Sequence, residues 1–234
     1  MDAEKLLNLV DRQMVIDLAV EMINTPSGTG EEGDMARVLE RMLKEVGCST
    51  HLQNIYEDRY NSIGRLSGSG NGPKVLMSGH MDTSVTGTED YLVGKGWKNH
   101  AVVESDRVYG NGIMNMKNAL VSYIAGLDAL QRAGIKLPGD LIIAGTAGEI
   151  EMAPVDEFQG KHYHGYGMGM RFMLIHGVTA DYHFLGEPTA QTPSTGMMGT
   201  TWAKVTTHVD FSHSAFEERS LSAIDEMWLL WHEL

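Results

Sequence analysis

Histidine and carboxylate side chains directly follow three short apolar stretches that are predicted strands. Neutral imidazole and carboxylate are both ligands for divalent metal ions. Because the carboxyl ends of parallel strands meet at one edge of a sheet, we expect these side chains to lie together. Taken alone, such a segment is more often a solvated turn or an acidic loop than a metal site. The residues are His80 and Asp82 after residues 75–77, Glu149 after 141–147, and Glu187 after 180–185.

The spacing of His80 and Asp82 favours a specific arrangement at the first strand end. Two residues apart in an extended chain, their side chains leave on the same side. The carboxylate can then orient the imidazole ring from behind while the ring binds a metal ion.

Predicted strands and helices alternate along the chain, which favours an α/β fold with a mixed, mostly parallel sheet flanked by helices. Thr29 and Glu32 have the spacing of a capping box, which predicts a helix that ends at Gly47. The predicted helices are residues 3–23, the capped helix, and one from Asn115 or Met116 to Gly134. Further strands are predicted at 49–55 and 61–66, and a hairpin at 102–109.

Composition excludes several classes of function. The net charge of −13 argues against nucleic acid or an anionic membrane as a partner. The single cysteine, Cys48, excludes an internal disulfide and fits a reducing compartment. With no signal peptide and no long apolar run, a cytoplasmic protein is expected.

The sequence changes in character near residue 194, where an alternating segment precedes a helix with several exposed apolar positions. We therefore expect residues 1–193 to form one domain and 194–234 the incomplete beginning of another. The apolar positions of the last helix, which call for a partner surface, are Leu221, Ile224, Trp228 and Trp231.

The chain resembles the M20 family of metallopeptidases and amidohydrolases, and within it the acetylornithine deacetylases and succinyl-diaminopimelate desuccinylases. Five motifs carry the resemblance, in the family's order: G-H-M-D-T, Y-G-N-G-I-M-N-M-K, G-E-I-E, A-D-Y-H-F-L-G-E-P-T and F-S-H-S-A-F. The resemblance implies an α/β catalytic domain with a two-metal zinc or cobalt site. It also implies a smaller inserted domain through which the protein dimerises, and a chain that lacks the family's C-terminal portion.

The resemblance also implies roles for individual residues. His80 matches a metal-binding histidine, Asp82 the aspartate that orients it, and Glu187 a carboxylate ligand of the same metal. Glu149 matches the general base that activates water for attack on an amide carbonyl. His213 matches a histidine of the small domain that stabilises the oxyanion in the partner subunit's site.

Departures from the family pattern affect the second metal most. The bridging aspartate of the family falls on Asn115, a neutral amide. The family's Glu-Glu pair falls on Glu149 and Ile150, so the second metal's glutamate is absent unless a one-residue shift brings in Glu151. The last histidine ligand belongs to the missing C-terminal portion. One or two zinc or cobalt ions are therefore expected, with one favoured.

Two functions follow from this resemblance. The first is a metal-dependent hydrolase that cleaves the amide bond of an N-acyl amino acid or a small peptide, acting as a homodimer. The second is a catalytically impaired, truncated homologue that acts at most as a binding protein. Asn115, Ile150 and the end at Leu234 motivate the second.

Overall fold

The computed structural model describes residues 3–150, 165–190, 192–196, 199, 204–209 and 222–233. The chain divides into two compact units, Met1–Thr195 and Gly196–Leu234. Among the described residues, no helix has the length and apolar character needed to cross a membrane.

The first unit is built on a five-stranded mixed sheet, which confirms the predicted fold class. The strands are β1 (Ser49–Tyr56), β2 (Arg59–Leu66), β3 (Val75–His80), β4 (Val102–Glu104), β5 (Arg107–Tyr109), β6 (Leu141–Thr146) and β7 (Tyr182–Leu185). The strand order of the sheet is β1-β2-β6-β3-β7; β6, β3 and β7 are parallel, while β1 and β2 join as antiparallel strands. The predicted hairpin is present as a separate pair, β4 and β5.

Helices cover both faces of this sheet. The helices are α1 (Ala3–Leu7), α2 (Arg12–Asn24), α3 (Gly33–Glu45), α4 (Asn118–Arg132) and α5 (Met168–Ile175). Alternate residues of β6 point to opposite sides, so that Ile143 joins the core beneath α2, α3 and α4, while Ile142 packs with Met173 of α5.

Two sequence predictions about helix starts were wrong. The single helix predicted for residues 3–23 is interrupted at Asp11, whose carboxylate caps α2 by accepting from the N–H groups of Gln13 and Met14. The capping box of Thr29 and Glu32 does not form either. Glu32 precedes α3 but makes no side-chain cap, because its carboxylate is engaged elsewhere in the core.

In the second unit, the described residues include one helix, α6 (Ala223–Glu233). Ile224, Trp228 and Trp231 on this helix are exposed, as the sequence predicted for an apolar face without a partner. Leu221 lies outside the described residues. The assignment of residues 194–234 to a dimerisation domain stays a prediction.

Candidate metal centre

The three strand-end residues predicted from the sequence meet at one edge of the sheet. His80 ends β3, Glu149 follows β6, and Glu187 follows β7. Because these strands are parallel neighbours, their carboxyl ends lie side by side. His80 Nε2 lies 3.6 Å from Glu149 Oε2 and 3.8 Å from Glu187 Oε1. One ligand atom from each residue lies within 4.8 Å of the others, which is close enough for a single cation.

Asn115 reaches the same point from a different element. It belongs to Ile113–Lys117, an irregular turn that leads into α4, and its Oδ1 lies 3.0 Å from His80 Nε2. Gly112 begins the turn with a φ of +75°, a conformation that favours glycine. A Cβ atom at Gly112 would also lie 2.4 Å from the Thr83 side chain. The turn therefore depends on glycine to bring Asn115 to the site.

Lys117 anchors the other end of this turn, a role that the sequence analysis missed. Its side chain is buried, and Nζ donates to the carbonyl oxygens of Met22 and Thr25, at 2.8 and 3.1 Å. Burial lowers the pKa of Lys117 to about 7, although the charge of Asp82 opposes the shift. The contacts tie the Asn115 turn to the end of α2.

The His80 ring is held by Asp82, but mainly through the backbone. Nδ1 lies 2.9 Å from the Asp82 carbonyl oxygen and 3.5 Å from its carboxylate. Burial alone would lower the pKa of His80, but the contact with the Asp82 carboxylate and the charges of Asp82 and Glu149 outweigh burial and raise that pKa to about 9. Both ring nitrogens therefore face oxygen atoms, and a metal ion would compete with a proton for Nε2.

The Asp82 carboxylate has a further task that the sequence did not suggest. It accepts hydrogen bonds from the N–H groups of Glu149 and Ile150, at 3.0 and 2.9 Å, and from the Thr29 hydroxyl, at 3.0 Å. Although burial opposes the shift, His80 and these N–H groups hold the pKa of Asp82 below its usual value. Asp82 thus fixes the loop that carries Glu149 as well as the His80 ring.

A second buried carboxylate, Glu32, fixes the start of the same loop. Its Oε1 accepts from the N–H groups of Gly148 and Gly30, at 3.1 and 3.0 Å. Arg59 donates to both Glu32 oxygens, at 2.7 and 2.6 Å, and the two side chains are 2% and 0% exposed. Glu32 and Arg59 are 27 positions apart, so no local pattern could have paired them.

Glu187 provides the best test of whether a cation fits this site. Its Oε1 is buried and has no hydrogen-bond partner among the described residues. Burial raises the pKa of Glu187; the charge of His80 opposes this shift and that of Asp82 adds to it. A buried carboxylate oxygen without a partner is costly unless a ligand satisfies it. Together with an imidazole and a second carboxylate, this oxygen fits a divalent cation such as zinc.

Two predicted site residues, Glu151 and His213, lie outside the described residues. Ile150 is buried, and its N–H contacts Asp82, so an apolar side chain follows Glu149 directly beside the site. Among the described residues, His80, Glu149 and Glu187 lie close enough together to hold a cation, and the Asn115 oxygen lies next to them.

The chain spans about half the length of the curated relatives it matches. It is 28% identical over 178 residues to a succinyl-diaminopimelate desuccinylase of Parvibaculum lavamentivorans, a match that covers 75% of this chain and 42% of that protein. The enzyme of the same name from Ehrlichia ruminantium is 26% identical over 227 residues, which cover 92% of this chain and 55% of the relative.

Solved structures with the same fold include two peptidases. A tripeptidase from Staphylococcus aureus superposes with a TM-score of 0.61 and 15% identity, covering 94% of this chain and 56% of that one. An M20 family metallo-carboxypeptidase from Sulfolobus solfataricus gives a TM-score of 0.57 and 14% identity, covering 75% and 37%. At these identities the likeness concerns the fold alone.

The family model for peptidase family M20/M25/M40 matches residues 76–216, which is more than half of the chain. The match begins in β3, at the strand that ends in His80, and extends through the segments that carry Asn115, Glu149 and Glu187. This chain therefore belongs to peptidase family M20/M25/M40.

Proposed function

We propose that this chain carries the catalytic site of a metal-dependent hydrolase that cleaves the amide bond of an N-acyl amino acid or a small peptide. The observation that carries the proposal is the convergence of His80, Glu149 and Glu187, with a buried Glu187 oxygen that has no hydrogen-bond partner among the described residues. Membership of a peptidase family and relatives named desuccinylases support the reaction class. Zinc or cobalt is proposed as the metal, with one ion per chain.

Each residue has a distinct part in this proposal. His80 and Glu187 would hold the cation, and Asn115 would contribute its amide oxygen. A bound divalent cation would polarise the substrate carbonyl and lower the pKa of water. Glu149 would take the proton from the attacking water and pass it to the leaving nitrogen. Its carboxylate is 37% exposed and so can reach both water and substrate.

Asp82 would act on this chemistry indirectly. Because its carboxylate holds the N–H groups of Glu149 and Ile150 while its backbone holds the His80 ring, it sets the distance between base and ligand. His213 and Glu151 stay predictions, as do the homodimer through residues 194–234 and a cytoplasmic location.

Zinc binding to the whole chain, measured by calorimetry and by elemental analysis after dialysis, tests the metal site. We expect about one ion per chain, and a loss of at least about tenfold in affinity in His80→Ala and in Glu187→Gln. The matched control is His51→Ala, an exposed histidine on the outer strand β1, which is separated from β6 by β2. Unchanged binding in both site variants would refute the site.

Hydrolysis of N-acetylated amino acids by the zinc- or cobalt-loaded protein tests the reaction. Glu149→Gln should lower kcat by at least about 10²-fold, because the amide cannot accept the proton, while metal binding weakens far less. Equal rates in wild type and Glu149→Gln would exclude Glu149 as the base.

A second candidate, a metal-binding homologue without turnover, is favoured by Asn115 and Ile150. The neutral amide and the apolar side chain supply less negative charge than carboxylates would. Stoichiometric zinc binding without hydrolysis, in a correctly folded protein, would support this candidate over the first.

A further inference from the structure

A cavity of about 710 Å³ adjoins the candidate metal centre in the first unit. Its volume is within the usual range for small-molecule sites. Its walls come from the segment after Asp82, the short helical turn Lys95–Trp97, β5 and the Asn115 turn. The lining residues are Thr83, Ser84, Val85, Gly96, Trp97, Pro188 and the run 108–115.

The cavity is continuous with the site because the site's own segments form part of its wall. Thr83 directly follows Asp82, Pro188 directly follows Glu187, and Asn115 itself is part of the lining. A substrate whose scissile carbonyl lies at His80 and Glu187 can therefore extend one of its substituents into this cavity.

Among the described residues that line the cavity, none carries a charge that could pair with a charged substituent. No Asp, Glu, Lys, Arg or His is among its lining residues. Lys95, whose ammonium lies 3.9 Å from the centre of the Tyr109 ring, is already ion-paired with Glu104. Among the polar lining groups, the Thr83 hydroxyl donates to the Val85 carbonyl oxygen and the Asn111 amide does the same.

Large apolar side chains make up the outer wall. Trp97 is 49% exposed and Met114 is 74% exposed, and both line the cavity. Exposed aromatic and thioether groups around a concave site offer contact area to an apolar ligand group. A carboxylate placed against these apolar groups would lose part of its hydration and find no charged partner among the described lining residues.

We propose that this cavity is the substrate-specificity pocket of the site and takes an uncharged, apolar acyl group or side chain. The proposal rests on the proposed function and narrows its substrate class. The acyl group proposed here differs from the one in the relatives' name, because the succinyl group of a succinyl-diaminopimelate desuccinylase ends in a carboxylate. Trp97 and Met114 are assigned as the residues that set this preference.

Binding of two matched amides to the metal-free protein tests the pocket independently of catalysis. N-pentanoylglycinamide and N-succinylglycinamide have acyl groups of similar length and differ in the charge at the far end. Ligand-observed NMR in the presence of EDTA measures dissociation constants into the millimolar range. We expect the pentanoyl amide to bind at least about tenfold more tightly, because the pocket rewards apolar contact and leaves a carboxylate unpaired.

Three variants locate the binding. Trp97→Ala should weaken the pentanoyl amide by about tenfold or more, whereas Tyr91→Ala should leave it unchanged, since Tyr91 is exposed but outside the lining. Met114→Lys should reduce or reverse the preference by giving the succinyl carboxylate a partner, and its exposure makes the change tolerable to the fold.

The outcomes separate this inference from the proposed function. Equal or tighter binding of the succinyl amide, no binding of either amide, or an unchanged affinity in Trp97→Ala would each overturn the pocket assignment. If the protein prefers the pentanoyl amide but does not bind zinc in calorimetry, the metal-site proposal is overturned and the pocket assignment is retained. If zinc binds at His80 and Glu187 without any acyl preference, the pocket assignment alone is overturned.

Discussion

Replacing Arg59 by methionine should destabilise the protein strongly, because it leaves the Glu32 carboxylate charged and buried. In the native protein Arg59 donates to both oxygens of Glu32 and, through its third nitrogen, to the Tyr56 hydroxyl at 2.7 Å. Methionine fills much of the same volume but supplies no donor. Among the described residues, the donors that then remain for Glu32 are the neutral N–H groups of Gly30 and Gly148.

The expected loss is about 3–5 kcal/mol of unfolding free energy, the usual cost of removing one partner from a buried ion pair. The double variant E32Q/R59M should be more stable than R59M alone by about 1 kcal/mol or more. Glutamine keeps an oxygen for the N–H groups of Gly30 and Gly148, while the uncompensated charge is gone. The sign of this difference distinguishes a charge penalty from a simple loss of packing.

Urea denaturation followed by far-UV circular dichroism measures these differences. The control is Arg41→Met, which breaks a solvent-accessible pair with Glu21 and Glu45 on α2 and α3 and should cost about 1 kcal/mol or less. A buried-charge penalty at Glu32 is refuted if R59M costs no more than this control, or if E32Q/R59M is no more stable than R59M. Because Glu32 holds the start of the Glu149 loop, R59M should also weaken zinc binding.

Three further predictions test other parts of the fold. Burial raises the pKa of the Cys48 thiol from 9.0 to about 11, so at pH 8 the thiolate fraction is about 100-fold smaller than that of an unperturbed cysteine. Labelling by a thiol reagent should therefore be slow, should speed up as pH rises towards 11, and should become rapid in urea. Asn61→Ala should cost about 2–4 kcal/mol in urea denaturation, because buried Asn61 accepts from the Ala147 N–H and donates to Gln53 and to the Gly169 carbonyl oxygen. Gly169→Ala should cost at least about 1 kcal/mol in the same assay, since its Cβ would lie 2.3 Å from the Ala147 carbonyl oxygen.

The part of the site that the sequence predicted is the part set by strand topology. His80, Glu149 and Glu187 each follow an apolar strand, and parallel strands place such residues at one edge whatever the details of packing. Asn115 was placed by resemblance to the family, and the structure brings its oxygen to 3.0 Å from His80.

The part that the sequence could not reveal is set by contacts between distant segments. Thr29 and Glu32 match a local capping pattern, but in the folded chain each is drawn to a partner far along the sequence. Thr29 donates to Asp82, and Glu32 pairs with Arg59. A charged pair in the core outcompetes a single helix cap, because an unpaired buried Arg59 would cost more than the cap gains.

Asn115 and Ile150 are uncharged residues at positions where carboxylates are expected from the family pattern. They lead to a final prediction about the affinity and stoichiometry of metal binding. Asn115→Asp should tighten zinc binding by at least about tenfold, because it places a negative charge where the amide oxygen now lies, 3.0 Å from His80 Nε2. It should nevertheless leave the stoichiometry at one ion, since buried Ile150 still contributes no ligand beside the site. Calorimetry and elemental analysis of wild type, Asn115→Asp and N115D/I150E measure both quantities, with His51→Ala as the control. Two ions bound by wild type would contradict the single-ion site, because the described residues provide ligands for only one.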